Sequence, residues 1–270
     1  MKKLVLLFLL VSASLFSQTL DLPPDIAKAM LIARAAPIKP AVTSFVLRHG
    51  NRDLKEIALT IDDGYKPDMR ILDLLHSYNI TPTVFIVGAV VYLNPSLIKQ
   101  MDALGWEIGN HTYYHPWTTK IDNEELNSQI LRTYDEIKKV TGKEPIRLFR
   151  PPYGAYNART LEDISIAGYK IILWDNEIMD WFQGISPSLQ VDHAMRLLQN
   201  GNILLCHFGG YNTYEVLKVL IPDILAKGYS FVTITQMIDH LNGKAAEAQI
   251  VPSKAEPQEG TNDQTYFEGK

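Results

Sequence analysis

Cysteine is almost absent from this sequence, since Cys206 is the single one among 270 residues. A disulfide within the chain and a zinc site built from several cysteines are therefore excluded. No thiol-activating neighbours accompany Cys206, so we interpret it as a buried strand residue and not as a nucleophile.

Positive charge is also scarce, because 26 Lys and Arg residues are outnumbered by 30 Asp and Glu residues, for a formal net charge of −4. Nucleic-acid binding relies on basic surface, so no nucleic-acid partner is predicted. No protein partner is predicted either. With 46% hydrophobic and 21% charged residues, the composition is that of a globular protein long enough to bury a large core.

The apolar stretch near the N-terminus, residues 4–11, is too short for a comfortable membrane span. Lys2 and Lys3 precede it, and small residues follow at 12–14 and at Ser17, which is the pattern of a secretory signal peptide. We predict a signal peptide over residues 1–17 and an exported protein, located in the periplasm, in the cell envelope or outside the cell. No cysteine follows the stretch, which excludes a lipoprotein anchor and leaves an uncleaved anchor as the alternative.

The remainder of the chain divides into three parts. Residues 18–41 contain several prolines around a short apolar stretch and are interpreted as an N-terminal arm or linker. Residues 42–242 alternate predicted strands and helices about seven times, which predicts an α/β fold with parallel strands, a (β/α) barrel or near-barrel. An open doubly wound sheet is the second choice, disfavoured because no glycine-rich nucleotide fingerprint follows a strand. Residues 243–270 are polar and are predicted to form a disordered tail.

Residues with useful chemistry lie at or just after the ends of predicted strands. They are Asp62, Asp63, His111, His115, Arg150, Asp180, Trp181 and His207. In a parallel barrel these strand ends share one rim, so we expect the side chains to converge there.

The spacing of His111 and His115 points to a metal. Four residues apart on a helix or helical turn, both imidazoles would lie on one face. Together with Asp63 they would leave one coordination position for water, which is typical of a catalytic zinc site. Thr112 stands where a zincin would carry Glu, so the general base must come from another strand.

That base is predicted to be Asp62, which is adjacent to the ligand Asp63 in the chain. Successive side chains on a strand diverge, so Asp63 could bind the metal while Asp62 reaches the water. Arg150 could pair with Asp62 and hold it in place. His207 could stand opposite as the general acid, oriented by a carboxylate such as Asp180.

Structural alternatives exist for these residues. Asp62, Asp63 and Gly64 could form a solvated turn, the two histidines before Pro116 a surface turn, and His207 a hydrogen-bonded core residue. The aromatic residues near the strand ends could be core or a platform for a sugar ring: Trp174, Trp181, Tyr113, Tyr114 and Tyr153. The other histidines are interpreted as surface residues: His49, His76, His193 and His240.

Five segments resemble, in order, the five motifs of the polysaccharide deacetylases, the NodB-homology domain of carbohydrate esterase family 4. They are Leu-Thr-Ile-Asp-Asp-Gly at 59–64, Asn-His-Thr-Tyr-Tyr-His at 110–115, Phe-Arg-Pro-Pro-Tyr-Gly at 149–154, Asp-Trp at 180–181 and Leu-Leu-Cys-His at 204–207. The resemblance covers about residues 42–242. It implies a distorted (β/α)7 barrel and a metal-dependent amide or ester hydrolase acting on acetylated sugars.

The resemblance also implies a role for each matching residue. Asp62 would be the general base held by Arg150, and His207 the general acid tuned by Asp180. Three residues would bind the metal, usually zinc with another divalent transition metal possible: Asp63, His111 and His115. Three residues would contact the substrate. The backbone N–H of Tyr153 would stabilise the oxyanion, and the side chains of Trp181 and Leu205 would line the pocket for the acetyl methyl.

This sequence departs from the family pattern at three positions. Ile61 replaces the usual Phe, Glu177 stands where Asp is common, and Phe208 follows His207 where a small or acidic residue is frequent. We keep Asp180 as the partner of His207, and no catalytic position is lost.

We predict an exported, zinc-dependent hydrolase that removes N-acetyl groups from an N-acetylglucosamine-containing polysaccharide. The attacking group would be metal-bound water, with an Asp as general base and a His as general acid. The substrate could be peptidoglycan, a chitin-like oligomer or an exopolysaccharide. One alternative is an O-acetyl esterase of xylan-like chains. Another is a non-catalytic carbohydrate-binding relative, which the intact Asp62, Arg150 and His207 disfavour.

Overall fold

Residues 45–243 are the part of the chain described by the computed structural model. The predicted signal peptide, the predicted arm and the tail from 244 onward lie outside these residues, and the proposed domain bounds stay predictions. No helix between residues 45 and 243 is long and apolar enough to cross a membrane.

The centre of the fold is a curled, parallel sheet of nine strands among the described residues. In chain order the strands are β1 (Val46–Leu47), β2 (Glu56–Asp63), β3 (Thr83–Ile86), β4 (Glu107–Asn110), β5 (Leu148–Phe149), β6 (Lys170–Ile172), β7 (Asn176–Glu177), β8 (Asn202–Phe208) and β9 (Ser230–Phe231). Their spatial order is β1-β6-β5-β4-β3-β2-β8-β7, with β9 beside the start of β2. The predicted distorted (β/α)7 barrel with parallel strands is confirmed.

Among the described residues, seven of the eight helices lie between strands in the chain, and the eighth follows the last strand. The helices are α1 (Met69–Ser77), α2 (Gly88–Leu93), α3 (Pro95–Ala103), α4 (Asn123–Thr141), α5 (Ala158–Ile166), α6 (Pro187–Arg196), α7 (Thr213–Ala226) and α8 (Ile234–Leu241). Helix α4 begins where the Asp122 carboxylate accepts the N–H of Glu125 and ends at Gly142, whose φ of 71° only glycine adopts readily. The sequence pattern predicts a helix over residues 124–140 with Asp122 or Asn123 as its N-cap and Gly142 as its stop, which agrees with α4. Helix α2 and strand β7 are not predicted by it.

Strand β2 is an interior strand of the sheet and is covered by the core. Every residue of β2 except Asp63 is buried, as expected for a strand covered on both faces. Apolar side chains of β2, β3 and β8 pack against helices that include α1, α3 and α7. The carboxyl end of β2 therefore lies centrally among the strand ends, which is where a site can be assembled.

Helix α8 packs near the amino ends of the strands, away from that rim. His240 on α8 places Nδ1 2.6 Å from Oε2 of Glu56, the first residue of β2. Both side chains are largely buried, and burial raises the pKa of Glu56 although His240 opposes the effect. The interpretation of His240 as a surface residue is wrong, because the sequence could not show that α8 folds back onto β2.

Candidate active site

The carboxyl ends of the strands surround a cleft of about 750 Å³. All the predicted site residues except Arg150 line it: Asp62, Asp63, His111, His115, Tyr153, Asp180, Trp181, Leu205 and His207. Arg150 lies beneath the cleft floor, fully buried. The structure thus brings together residues that are up to 145 positions apart in the chain.

Asp63, His111 and His115 form a cluster that could hold a metal ion. The Oδ1 atom of Asp63 lies 3.5 Å from Nε2 of His111 and 3.3 Å from Nε2 of His115. This oxygen is buried and has no hydrogen-bond partner among the described residues, which is costly unless a cation satisfies it. The donor set of two imidazoles and one carboxylate suits zinc and other borderline divalent metals.

The protonation of the two imidazoles fits this cluster. Nδ1 of His111 lies 2.7 Å from the carbonyl oxygen of Arg150, which can only accept, so Nδ1 carries the proton and Nε2 is free to bind a metal. Burial lowers the pKa of His115 to about 4, with the neighbouring imidazole of His111 adding to the effect and the charge of Asp63 opposing it. His115 is therefore neutral near pH 7, the form that coordinates metals.

The segment that carries both histidines is a loop, so the expectation of a helix or helical turn is wrong. Thr112 and His115 have left-handed backbone angles, with φ of 65° and 61°. The side-chain oxygen of Asn110 accepts the N–H of Thr112, and that of Gln129 accepts the N–H groups of Tyr113 and Tyr114. These bonds replace the helical ones and still bring the two rings to a centroid distance of 4.9 Å.

Asp62 is held by a buried arginine. Nη1 of Arg150 donates to Oδ1 of Asp62 and to the hydroxyl of Thr60, both at 2.8 Å. Its Nε and Nη2 donate to the carbonyls of Ile172 and Leu173, at 3.1 and 3.0 Å. Burial lowers the pKa of Arg150, and the Asp62 carboxylate opposes this, so the two charges depend on each other.

His207 lies directly beside Asp62, because the two residues are partners in the β2–β8 register. Nδ1 of His207 is 2.7 Å from Oδ1 of Asp180, while Oδ2 of Asp180 accepts the N–H of His207 and the hydroxyl of Thr213. Burial disfavours the charged imidazole, but Asp180, with Asp62 and Asp63, outweighs it and raises the pKa of His207 to about 9. His207 therefore carries a proton at neutral pH, as a general acid must.

The three departures from the family pattern have structural consequences. Asp180 and not Glu177 contacts His207, whereas Glu177 accepts the indole N–H of Trp181 at 3.2 Å. Ile61 is a buried core residue. Phe208 is also buried, with its ring stacked on Trp106 at a centroid distance of 6.3 Å, so it takes part in the core.

Several residues of the site were missed from the sequence. Thr60 precedes Asp62 by two positions on the same strand, so alternation along β2 was a usable signal for it. Gln129 on α4 and Thr213 at the start of α7 carry no local signal, because only the packed fold brings them to the loop and to Asp180. Trp117 was also missed, and it lies stacked on Tyr153 beside the cleft.

Comparison with known proteins agrees with this geometry. The family profile described as polysaccharide deacetylase matches residues 49–172. A peptidoglycan-N-acetylglucosamine deacetylase of Bacillus cereus is 35% identical over 203 residues, which cover 73% of this chain and 94% of that protein. The peptidoglycan-N-acetylmuramic acid deacetylase PdaA of Bacillus subtilis is 31% identical over 193 residues, covering 70% of this chain and 73% of that protein.

Solved structures show the same fold. The structure of Bacillus subtilis PdaA, described as a family 4 carbohydrate esterase, matches with a TM-score of 0.68 and 30% identity over 72% of this chain and 85% of that chain. A Bacillus anthracis protein described as a CE4 family pseudoenzyme matches with a TM-score of 0.69 and 26% identity, covering 73% of this chain and 70% of that chain. The fold is thus shared by active and inactive proteins, and the side chains of the site must distinguish them.

Proposed function

This chain belongs to the polysaccharide deacetylase family and is a hydrolase of that class, and from this premise we propose that it removes N-acetyl groups from peptidoglycan N-acetylglucosamine. The observation that carries the proposal is the convergence in one cleft of three side chains that could hold a metal ion, a carboxylate paired with Arg150 and a histidine paired with Asp180. The names of the two Bacillus deacetylases support peptidoglycan over chitin-like oligomers or exopolysaccharide.

Zinc held by Asp63, His111 and His115 would polarise the acetamide carbonyl and lower the pKa of a water molecule. Asp62 would accept the proton of the attacking water, and the hydrogen bond from Arg150 keeps this carboxylate aimed at the cleft. His207 donates its proton to the leaving amine nitrogen, so that the C–N bond breaks without releasing an amide anion.

The remaining residues position the substrate in this proposal. The backbone N–H of Tyr153 donates to the developing oxyanion, a role carried over from the family resemblance. Trp181 and Leu205 wall the space for the acetyl methyl, and both line the cleft. Asp180 fixes the ring of His207 through Nδ1, which leaves Nε2 to exchange the proton.

The decisive experiment is acetate release from peptidoglycan, chitin oligomers and acetylated xylan, with and without a chelator. Release from peptidoglycan that zinc restores after chelation is the expected result. Release from acetylated xylan alone would favour the O-acetyl esterase. In that reaction the same residues would hydrolyse an ester, and the leaving group would be an alkoxide in place of an amine. Binding without release from any substrate would favour the non-catalytic alternative.

Two variants separate the roles within the site. Asp62→Asn should abolish turnover while zinc stays bound, because it removes the base and leaves the three ligands. His111→Ala should lose the metal. Elemental analysis together with acetate release tests both, and unchanged zinc content in His111→Ala would refute that ligand.

The proposal also places the protein outside the cytoplasm, since its substrate is a cell-envelope polymer. Residues 1–17 would direct export, and a fusion of this segment to a reporter enzyme tests that independently of catalysis. Retention of the reporter in the cytoplasm would contradict the predicted signal peptide.

A further inference from the structure

Two aromatic rings and one lysine side chain continue the row of rings that begins with His111 and His115. The Tyr153 ring meets His115 edge-on at a centroid distance of 4.7 Å and an angle of 67°. Trp117 stacks on Tyr153 at 4.2 Å and 12°, and Nζ of Lys120 lies 4.8 Å from the centre of the Trp117 ring. Trp117 itself is outside the lining of the cleft.

The two histidines differ in how they are oriented. His111 is buried and is fixed by the hydrogen bond from Nδ1 to the carbonyl of Arg150. Among residues 45–243, no group hydrogen-bonds Nδ1 of His115, and the ring meets that of Tyr153 edge-on. Metal-binding histidines usually gain their orientation from such a hydrogen bond, so another contact must supply it here.

The backbone at both ends of this contact is unusual. His115 and Tyr153 each have φ of 61°, a left-handed conformation that persists in non-glycine residues only when the surroundings enforce it. Two hydrogen bonds join these segments. The Tyr153 hydroxyl donates to the carbonyl of His115 at 3.5 Å, and the Thr118 hydroxyl donates to the carbonyl of Ala155. Trp117 lies between His115 and Thr118 in the chain, so its stack on Tyr153 adds a third contact between the same two segments.

We propose that Trp117 is a positioning residue for the metal ligand His115. By stacking on Tyr153, it presses that ring against the imidazole and fixes the direction of Nε2 toward Asp63. The inference rests on the proposed metal centre, and it concerns a residue that contacts neither the metal nor the cleft.

Zinc affinity, measured by competition with a chromogenic chelator, tests the proposal. Trp117→Ala should bind zinc about 10- to 100-fold more weakly, the range expected when the support of a ligand is removed. Trp117→Phe keeps a flat ring for Tyr153 and should stay within about threefold of wild type. Acetate release by Trp117→Ala should be low at limiting zinc and recover at saturating zinc, with KM for peptidoglycan unchanged.

Tyr92→Ala is the matched control, because Tyr92 is an exposed aromatic residue that also has a lysine, Lys139, over its ring. Its zinc affinity should equal that of wild type. Wild-type affinity in a folded Trp117→Ala, or equal weakening in Tyr92→Ala, would overturn the proposal. A raised KM with unchanged zinc affinity would instead make Trp117 a sugar contact. Failure of the wild-type protein to bind zinc would refute the proposed metal centre itself.

Discussion

Arg150 is the largest fully buried side chain among the described residues, and its charge is balanced by Asp62. Such a pair is costly to bury, yet removing one partner is worse, because the other charge is then left alone in an apolar surrounding. The hydroxyl of Thr60 and the carbonyls of Ile172 and Leu173 accept three more of the five guanidinium N–H groups. The stability of the core and the placement of the base therefore depend on the same side chain.

Arg150→Met should lower the free energy of unfolding by about 3–5 kcal/mol, since Asp62 loses its counter-charge. Urea unfolding of the zinc-free protein measures this. Adding Asp62→Asn should recover part of the loss because it removes the isolated charge. Arg70→Met is the control, as Arg70 pairs with Asp68 on the surface and its loss should change the midpoint little. Equal unfolding curves for Arg150→Met and wild type would contradict the argument.

His207 depends on Asp180 in a way that pH reveals. Its pKa of about 9 lies above the ordinary value of 6.5. The stability gained from the charged imidazole is therefore fully present below pH 6.5 and is lost as pH rises through about 9. The same proton is the one His207 donates in the proposed reaction, so activity should fall over the same alkaline range.

Asp180→Asn keeps the size of the side chain and removes its charge, so the pKa of His207 should fall. The alkaline limb of kcat/KM should move to lower pH, and the free energy of unfolding should vary less between pH 6.5 and 9. Glu177→Gln is the control, because Glu177 lines the cleft but contacts Trp181. A shift of the alkaline limb in Glu177→Gln and none in Asp180→Asn would reverse the assignment.

At the scale of elements, two helices are hydrogen-bonded to the loop that carries His111 and His115. The N–H groups of Gly88 and Ala89, at the start of α2, donate to the carbonyls of Thr112 and Tyr113 at 2.9 and 3.0 Å. Gln129 of α4 accepts from the opposite side of the loop. A left-handed backbone at Thr112 is thus stabilised by bonds from neighbouring elements, and the loop needs no helix of its own.

Gly88→Ala should disturb the hydrogen bonds between α2 and this loop. A Cβ at position 88 would lie 2.5 Å from Oγ1 of Thr133 and 2.6 Å from the ring of Tyr113, so α2 must move away from α4. We expect a loss of about 1–3 kcal/mol in the free energy of unfolding and weaker zinc binding. Thr133→Ala in the same background removes the nearest atom and should restore part of the stability. Unaltered zinc affinity in Gly88→Ala would show that the loop holds without α2.

At the scale of the whole molecule, the proposed metal joins β2 to the loop after β4. Its three ligands come from positions 63, 111 and 115, and Asp63 Oδ1 lacks a hydrogen-bond partner among the described residues. Zinc bound only by the folded state would stabilise it by about 2.7 kcal/mol at a free concentration of 100 times Kd. Metal binding and global stability are therefore coupled.

Chelation should lower the melting temperature by roughly 5–10 °C, from about 2–4 °C for each kcal/mol in a domain of this size. Calorimetry with and without a chelator measures the shift. His111→Ala should show no response to the chelator, because its site no longer binds. A wild-type melting temperature that is indifferent to both zinc and chelator would argue against the coupling.

Prediction from sequence succeeded best where local pattern and tertiary environment agree. The sequence pattern predicts strands over residues 56–61 and 202–207 and a helix over 124–140, each within about two residues of the bounds of β2, β8 and α4. The two strands have apolar runs, and the helix also has clear capping residues. The short strand β7 and the helix α2 were not predicted. A two-residue strand has almost no pattern of its own, and α2 follows β3 without a capping side chain.

The sequence by itself determined which chemical groups stand at strand ends, and in what order, because hydrophobic alternation marks the strands and the motifs follow them directly. Only the tertiary structure decided how these groups meet. Which carbonyl fixes the proton of His111, and that Trp117 stacks on Tyr153, depend on contacts between distant segments, whereas Asp180 was named from the sequence as the partner of His207. Such contacts leave no periodic trace in the chain, because they form only when the sheet has curled and its loops have packed together.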